Sequence, residues 1–178
     1  MGWARAEIQA LLLRAGRGAG LPLSHAEDLS IAVAEHGDNA ALEAAATALA
    51  DGWTPARFEQ KDELGIAFKD ARALSALPVA IDALAARVPK VELRDLDAPE
   101  LVAPFLAAAS ARVGVDARHS DKTWVLTGGN PSAQSPKRDR FNPPQSVIDT
   151  LSELAARTYV PASSASRDGA GAGTIDND

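Results

Sequence analysis

Thirty-eight of the 178 residues are alanine, against eight Phe, Trp and Tyr together, and this imbalance constrains the fold more than any other feature. Alanine removes little area from water per residue. A core drawn from 46% apolar residues must therefore come from helices packed closely around Leu, Val and Ile. The same apolar share excludes wholesale disorder. A core this thin leaves part of the stability to be found between subunits, so a homodimer, or an accessory role beside a partner protein, is expected.

Hydrophobic spacing divides the chain. Ile8, Leu11, Leu12 and Ala15 follow i, i+3, i+4, i+7 and predict a first helix that stops at the Gly16-Arg17-Gly18-Ala19-Gly20 corner. Ser24 followed by Glu27 has the spacing of a capping box and predicts the start of a second helix, with Leu29, Ala32 and Val33 inward. Asp38 or Asn39 caps a third, with Leu42, Ala45, Ala46 and Leu49 inward. Residues 1–52 thus read as an N-terminal three-helix bundle.

After Gly52 the periodicity changes. TPARFEQKDE is polar and reads as a connection, Glu63–Phe68 as a short strand, and Ala71–Arg87 as a helix that Pro78 must kink or restart. Val91–Arg94 alternates with period two, Asp97-Ala98-Pro99-Glu100 opens a helix reaching about Val113, and two strands flank His119-Ser120-Asp121-Lys122. Residues 53–128 read as a small mixed α/β sheet unit in the order β-α-β-α-β-β, and the whole as α+β. Residues 129–144 are rich in Pro and polar residues and read as a loop. Within 145–178, Val147, Ile148, Leu151 and Leu154 mark a last helix, followed by an extended C-terminal tail.

Charge and residue usage exclude several functions. The net charge is −6 and the pI about 5.1. The one basic run, Lys137-Arg138-Asp139-Arg140, is too small to displace counterions along a duplex, so no nucleic acid is expected. Without cysteine there are no disulfides, Fe–S clusters, thiolate zinc sites or cysteine nucleophiles. The N-terminal apolar stretch is interrupted by Arg5, Glu7 and Arg14, so neither a signal peptide nor a membrane span is expected and the cytoplasm is the expected compartment.

Chemistry-bearing patterns are few. His25 and His36 share a helix face but stand roughly 16 Å apart at 1.5 Å per residue, too far to share a metal. His25 and Asp28 have the i, i+3 spacing of bundle metal sites, with no second such pair, so neither metal nor cofactor is expected. No G-x-S-x-G occurs, and Ser24 beside His25 is read as a cap. Gly16-x-Gly18-x-Gly20 follows a helix rather than a strand and lacks the dinucleotide spacing; it reads as a helix corner whose glycines permit close packing. Gly169-Ala170-Gly171-Ala172-Gly173 has no following Lys-Ser/Thr, so it is not a phosphate loop.

The two ends together resemble a known family. Arg17-Gly18-Ala19-Gly20, Ala26-Glu27-Asp28, Thr158-Tyr159-Val160-Pro161-Ala162, Ser166-Arg167 and Gly169–Asp178 are similar to an uncharacterised proteobacterial family, domain of unknown function 3726. Asp28 stands where that family carries a second Glu, and Leu23 where an aromatic residue is expected. The resemblance implies a bacterial, cytosolic protein without an assigned activity, and it favours a docked tail over a loose one.

Two functional expectations follow. The first is a binding or accessory protein without catalysis of its own. The alternative is a small enzyme with an anionic-ligand site where the Gly16–Gly20 corner meets the tail, built from Arg14, Arg17, Glu27, Arg167, Asp176 and Asp178. In the docked-tail picture Ile175 is buried and the closing carboxylates pair with Arg14, Arg17 or Arg157. Carboxylates held together in such a pocket would acquire shifted pKa values.

Overall fold

A computed structural model describes residues 2–110, 112–130 and 140–158, the side chains of 60–62 excepted. Six α-helices and seven strands occur among them, in an α+β arrangement. Helix α1 (Arg5–Gly18) runs two residues past Gly16, and the Glu7 carboxylate accepts from the Ala4 N–H at 2.7 Å at its start. Helix α2 (Leu23–His36) starts earlier than the Ser24 cap expected from sequence: Pro22 holds the N-cap position with φ −53° and ψ 149°. The capping box does not form. Proline supplies the non-helical backbone itself, which places Ser24 inside the first turn. Helix α3 (Asn39–Ala50) is capped as expected, with the Asp38 carboxylate accepting from the Ala41 N–H at 3.0 Å.

The sheet has five strands in the order β2 (Phe58–Asp62), β3 (Gly65–Phe68), β4 (Lys90–Arg94), β6 (Thr123–Gly129), β5 (Gly114–Ser120). β3 and β4 are parallel, joined by α4 (Ala73–Ala85), and every other pairing is antiparallel. Strand β2 falls in the stretch expected to be a connection. It is an edge strand, and edge strands carry polar residues that a core strand cannot. Helix α4 continues through Pro78. The Asp97 signature does not cap its own helix: a 3-10 turn, Pro99–Leu101, leads into a short α5 (Val102–Ala109). Asp97 instead accepts from the Ala73 N–H at 2.7 Å, capping α4 from across the fold, and pairs with Arg72 at 2.9 Å.

The expected loop 129–144 also holds structure. β6 extends to Gly129, and β7 (Arg140–Phe141) pairs antiparallel with β1 (Trp3–Ala4). Asn39 extends this ribbon by bonding the Asn142 N–H and carbonyl, at 3.2 and 3.1 Å. Residues 131–139 lie outside the described residues, as do 159–178 and with them the tail.

Helix α6 (Gln145–Ala156) packs against α1 and α3, so the C-terminal helix joins the N-terminal helices. α4 and α5 lie against the sheet, and α2 packs on both from outside. One continuous core links bundle and sheet unit. Of the 40 buried apolar residues described, 16 are alanine, which lets these backbones approach closely. The opposite face of the sheet is polar: Glu92 binds Lys90 at 2.8 Å and Arg94 at 2.6 Å, and Arg94 also binds Glu59. Among the described residues no helix is long and apolar enough to cross a membrane.

Candidate functional site

The glycine corner is a packing device. A β-carbon at Gly16 would lie 3.0 Å from the Ala26 Cβ, and one at Gly18 would enter the Leu154 carbonyl of α6. Gly20 alone needs its glycine for conformation, with φ +92° and nothing within 4 Å. The cations flanking the corner serve it too. Arg17 Nη1 donates to the Leu21 carbonyl at 2.7 Å, closing the turn into α2, and Arg14 Nε donates to Ala10 on its own helix at 3.2 Å. Glu27 is exposed and makes no ion pair with Arg17. Arg167, Asp176 and Asp178 lie outside the described residues. How Arg14, Arg17 and Glu27 stand relative to those three residues therefore also lies outside the described structure.

The histidines are dispersed. His25 meets Trp53 edge-on at 6.4 Å, His36 is buried at the end of α2, and His119 stacks on its cross-strand partner Trp124 at 4.6 Å. Among the described residues no group of three or more His, Asp or Glu converges as metal ligands.

A different set of charges does converge, where α2, α4 and α5 meet. Asp28 projects from α2, Asp82 from α4 and Arg112 from the turn after α5, around a groove of about 270 Å³. The groove is floored and walled by Phe105, Ile81, Pro78 and Ala109, with Ile31 exposed at its edge. Local sequence explains each placement. Asp28 lies one residue from the buried Leu29, at the margin of the inner face of α2, and Asp82 stands beside buried Ile81 on α4. Helices present such marginal positions to a neighbouring groove.

The electrostatics are unbalanced. Burial, and next the Asp82 carboxylate, push the Asp28 carboxyl above its ordinary 3.8, while Arg112 and His25 oppose the rise. Arg112 is thus close enough to act on Asp28. Yet the side chains of Asp28, Asp82 and Arg112 form no hydrogen bond or salt bridge with each other or with any described residue. Two carboxylates and one guanidinium surround an apolar floor with their hydrogen-bonding capacity unspent. By contrast, the basic depression of about 220 Å³ beyond the carboxyl end of β3 has its Arg72 committed to Asp97 and to the Gly52 carbonyl at 3.4 Å.

Sequence reasoning paired Asp28 only with His25. Asp82 and Arg112 carry no motif, and Arg112 lies 84 positions along the chain from Asp28, so only the packing of three helices reveals the set. The chain matches no protein-family model, no curated protein and no solved structure; the site must be read from its own chemistry.

Proposed function

We propose that the protein is a cytosolic binding or accessory protein without catalysis of its own, and that the groove between α2, α4 and α5 holds a small ligand bearing a positive group. The observation that carries this is the unspent carboxylate pair, Asp28 and Asp82, above an apolar floor. Asp28 is half-buried while Asp82 is exposed at the rim, and a half-buried charge without a partner costs free energy that a ligand recovers by supplying one. A volume of about 270 Å³ sits near the lower end of small-molecule sites, roughly 300 to 1,000 Å³, which favours a compact ligand over an extended one. The test is titration of isotope-labelled protein with 3-methylbutylamine. Amide shifts confined to Asp28, Ile31, Asp82 and Ala109, and abolished in an Asp28→Asn/Asp82→Asn variant, are expected. Shifts elsewhere, or none, would refute the reading.

The same proposal includes self-association and membership of the proteobacterial family that the residues at both ends resemble. Leu23 and Ile31 on α2, and Phe58 and Leu64 on the β2–β3 hairpin, are large apolar side chains left exposed, which a second copy of the chain would cover. Sedimentation equilibrium at micromolar protein distinguishes a dimer from the 18.5 kDa monomer.

One observation favours the enzyme as a second reading. Leu154 of α6 and the Arg157 that caps its end lie against Gly18, so the end of α6 stands at the glycine corner. Phosphate titration that shifts Gly16–Gly20 would support an anionic-ligand site there, and silence at those amides would remove it.

A further inference from the structure

We infer that the groove between α2, α4 and α5 is built for a zwitterion: an α-amino acid with an aliphatic side chain, its ammonium on Asp28 and Asp82 and its carboxylate on Arg112. This inference rests on the reading of the groove as a ligand site and adds what the third charge is for.

Charge complementarity selects the ligand. Three helices bring two carboxylates and one guanidinium to a single groove, and none of the three is paired within the described structure. A simple amine would satisfy the carboxylates but meet Arg112 as a like charge. A simple carboxylate would pair with Arg112 and be repelled by both aspartates. An α-amino acid carries its two charges on neighbouring atoms and answers both signs at once. Arg112 suits the second task, since a guanidinium donates two parallel bonds to a carboxylate.

The rest of the groove fits the remainder of the ligand. Phe105, Ile81, Pro78 and Ala109 offer hydrocarbon and no donor, so a polar side chain would lose its hydration without compensation. A branched aliphatic side chain gains from the same wall. Helix α5 supplies half of that wall, Phe105 and Ala109, and ends just before Arg112, so a side chain lying along α5 would leave its own α-carboxylate near the guanidinium.

Calorimetric titration with three probes of matched skeleton tests this: leucine, 3-methylbutylamine and 4-methylpentanoate. Leucine is expected to bind at least tenfold more tightly than the amine, and the carboxylic acid not measurably. Arg112→Gln should remove leucine's advantage and raise amine affinity, since the like charge is gone, whereas Arg112→Lys should restore part of leucine's advantage. Arg112 is exposed, and an unchanged melting temperature in both variants verifies that they fold. Equal binding of leucine and amine, or an Arg112→Gln variant that weakens both alike, would overturn the zwitterion while leaving the cation site standing. Failure of all three probes to bind would overturn the inference together with the site it rests on.

Discussion

Replacing Gly18 by alanine should destabilise the protein, although the same change inside a helix ordinarily stabilises it. Gly18 is the last residue of α1, and a β-carbon there would enter the Leu154 carbonyl of α6, lying 2.7 Å from its carbon where ordinary contact begins at 3.4 Å. Both obstructing atoms are backbone, with the carbonyl oxygen only 1.8 Å away, so no side chain can swing aside; α1 and α6 must separate by more than an ångström. A gap of 0.5–1 Å forfeits roughly a quarter to a half of a dispersive contact. The inner face of α6 is Ile148, Leu151, Leu154 and Ala155, all buried. Three large side chains of about 1.5–3 kcal/mol each, losing about half of that, give a cost of about 2–4 kcal/mol. The helix-propensity gain of alanine over glycine offsets at most about 1 kcal/mol, and less at a terminal residue. The net loss is about 2 kcal/mol, within the range of overpacked cores, or a fall in melting temperature of roughly 4–8 °C for a chain of this size. Calorimetry and urea unfolding should agree, with the denaturant slope unchanged. Gly20→Ala is the control: no atom lies within 4 Å, and the positive φ alone should cost about 1 kcal/mol. A Gly18→Ala protein melting at or above wild type, or one less damaged than Gly20→Ala, would refute the packing role assigned to the corner.

Other consequences are as direct. Asp38→Ala removes the side-chain cap of α3 and should cost about 1 kcal/mol in urea unfolding. Asp97→Ala removes both the cap on Ala73 and the Arg72 partner and should cost about 2 kcal/mol, with faster hydrogen exchange at the start of α4. Asp28 and Glu92 should give opposite pH dependences. Because the folded protein raises the Asp28 pKa above 3.8, it binds the proton more tightly than the unfolded chain does. Stability is therefore lost as pH rises through the interval above 3.8, and Asp28→Asn should melt higher than wild type at pH 7 and converge with it in acid. Hydrogen bonds from Lys90 and then Arg94 hold the Glu92 carboxyl below its ordinary 4.5. Glu92 thus contributes stability above 4.5 that is lost as pH falls through its folded pKa, and Glu92→Gln should melt lower at pH 7 with the difference closing in acid.

Helices with strong periodicity and an unambiguous stop were legible from sequence: α1, α3 and α6 fall where their apolar stripes place them, and so does the β5–β6 hairpin. What local pattern could not show is what depends on a distant partner. The FEQKD stretch is polar because β2 forms an edge, and nothing in five residues announces the strand beside it. Arg140-Phe141 becomes a strand only because Trp3-Ala4 lies opposite. Asp97 has the spacing of a cap for the helix that follows it, yet its carboxylate serves α4; a capping signature names a donor without naming the helix. The Asp28 groove was illegible for the same reason. Its three charges sit on three elements, each individually an ordinary residue on a helix margin. Burial first, and the Asp82 carboxylate second, raise the Asp28 pKa, whereas the carboxylates expected at the glycine corner, Asp176 and Asp178, lie outside the described residues.

The abundance of alanine, which set the close packing of the bundle, also accounts for the groove. Where α5 passes α2 and α4 it presents Ala108 and Ala109, and α4 presents Pro78; none is long enough to fill the seam above Phe105. Ala109 is buried, but Ala108 is only half-buried at the groove wall. A leucine at 108 would extend three carbons into open space instead of into packed core. Ala108→Leu should therefore keep or slightly raise the melting temperature, since filling a cavity recovers contacts that a thin core lacks. It should weaken leucine and 3-methylbutylamine alike by tenfold or more, because it occupies the apolar floor common to both without touching Asp28, Asp82 or Arg112. A variant that folds as well as wild type and binds both probes undiminished would show that the hydrocarbon of the ligand does not lie against α5, and that the groove is not where the charges are answered.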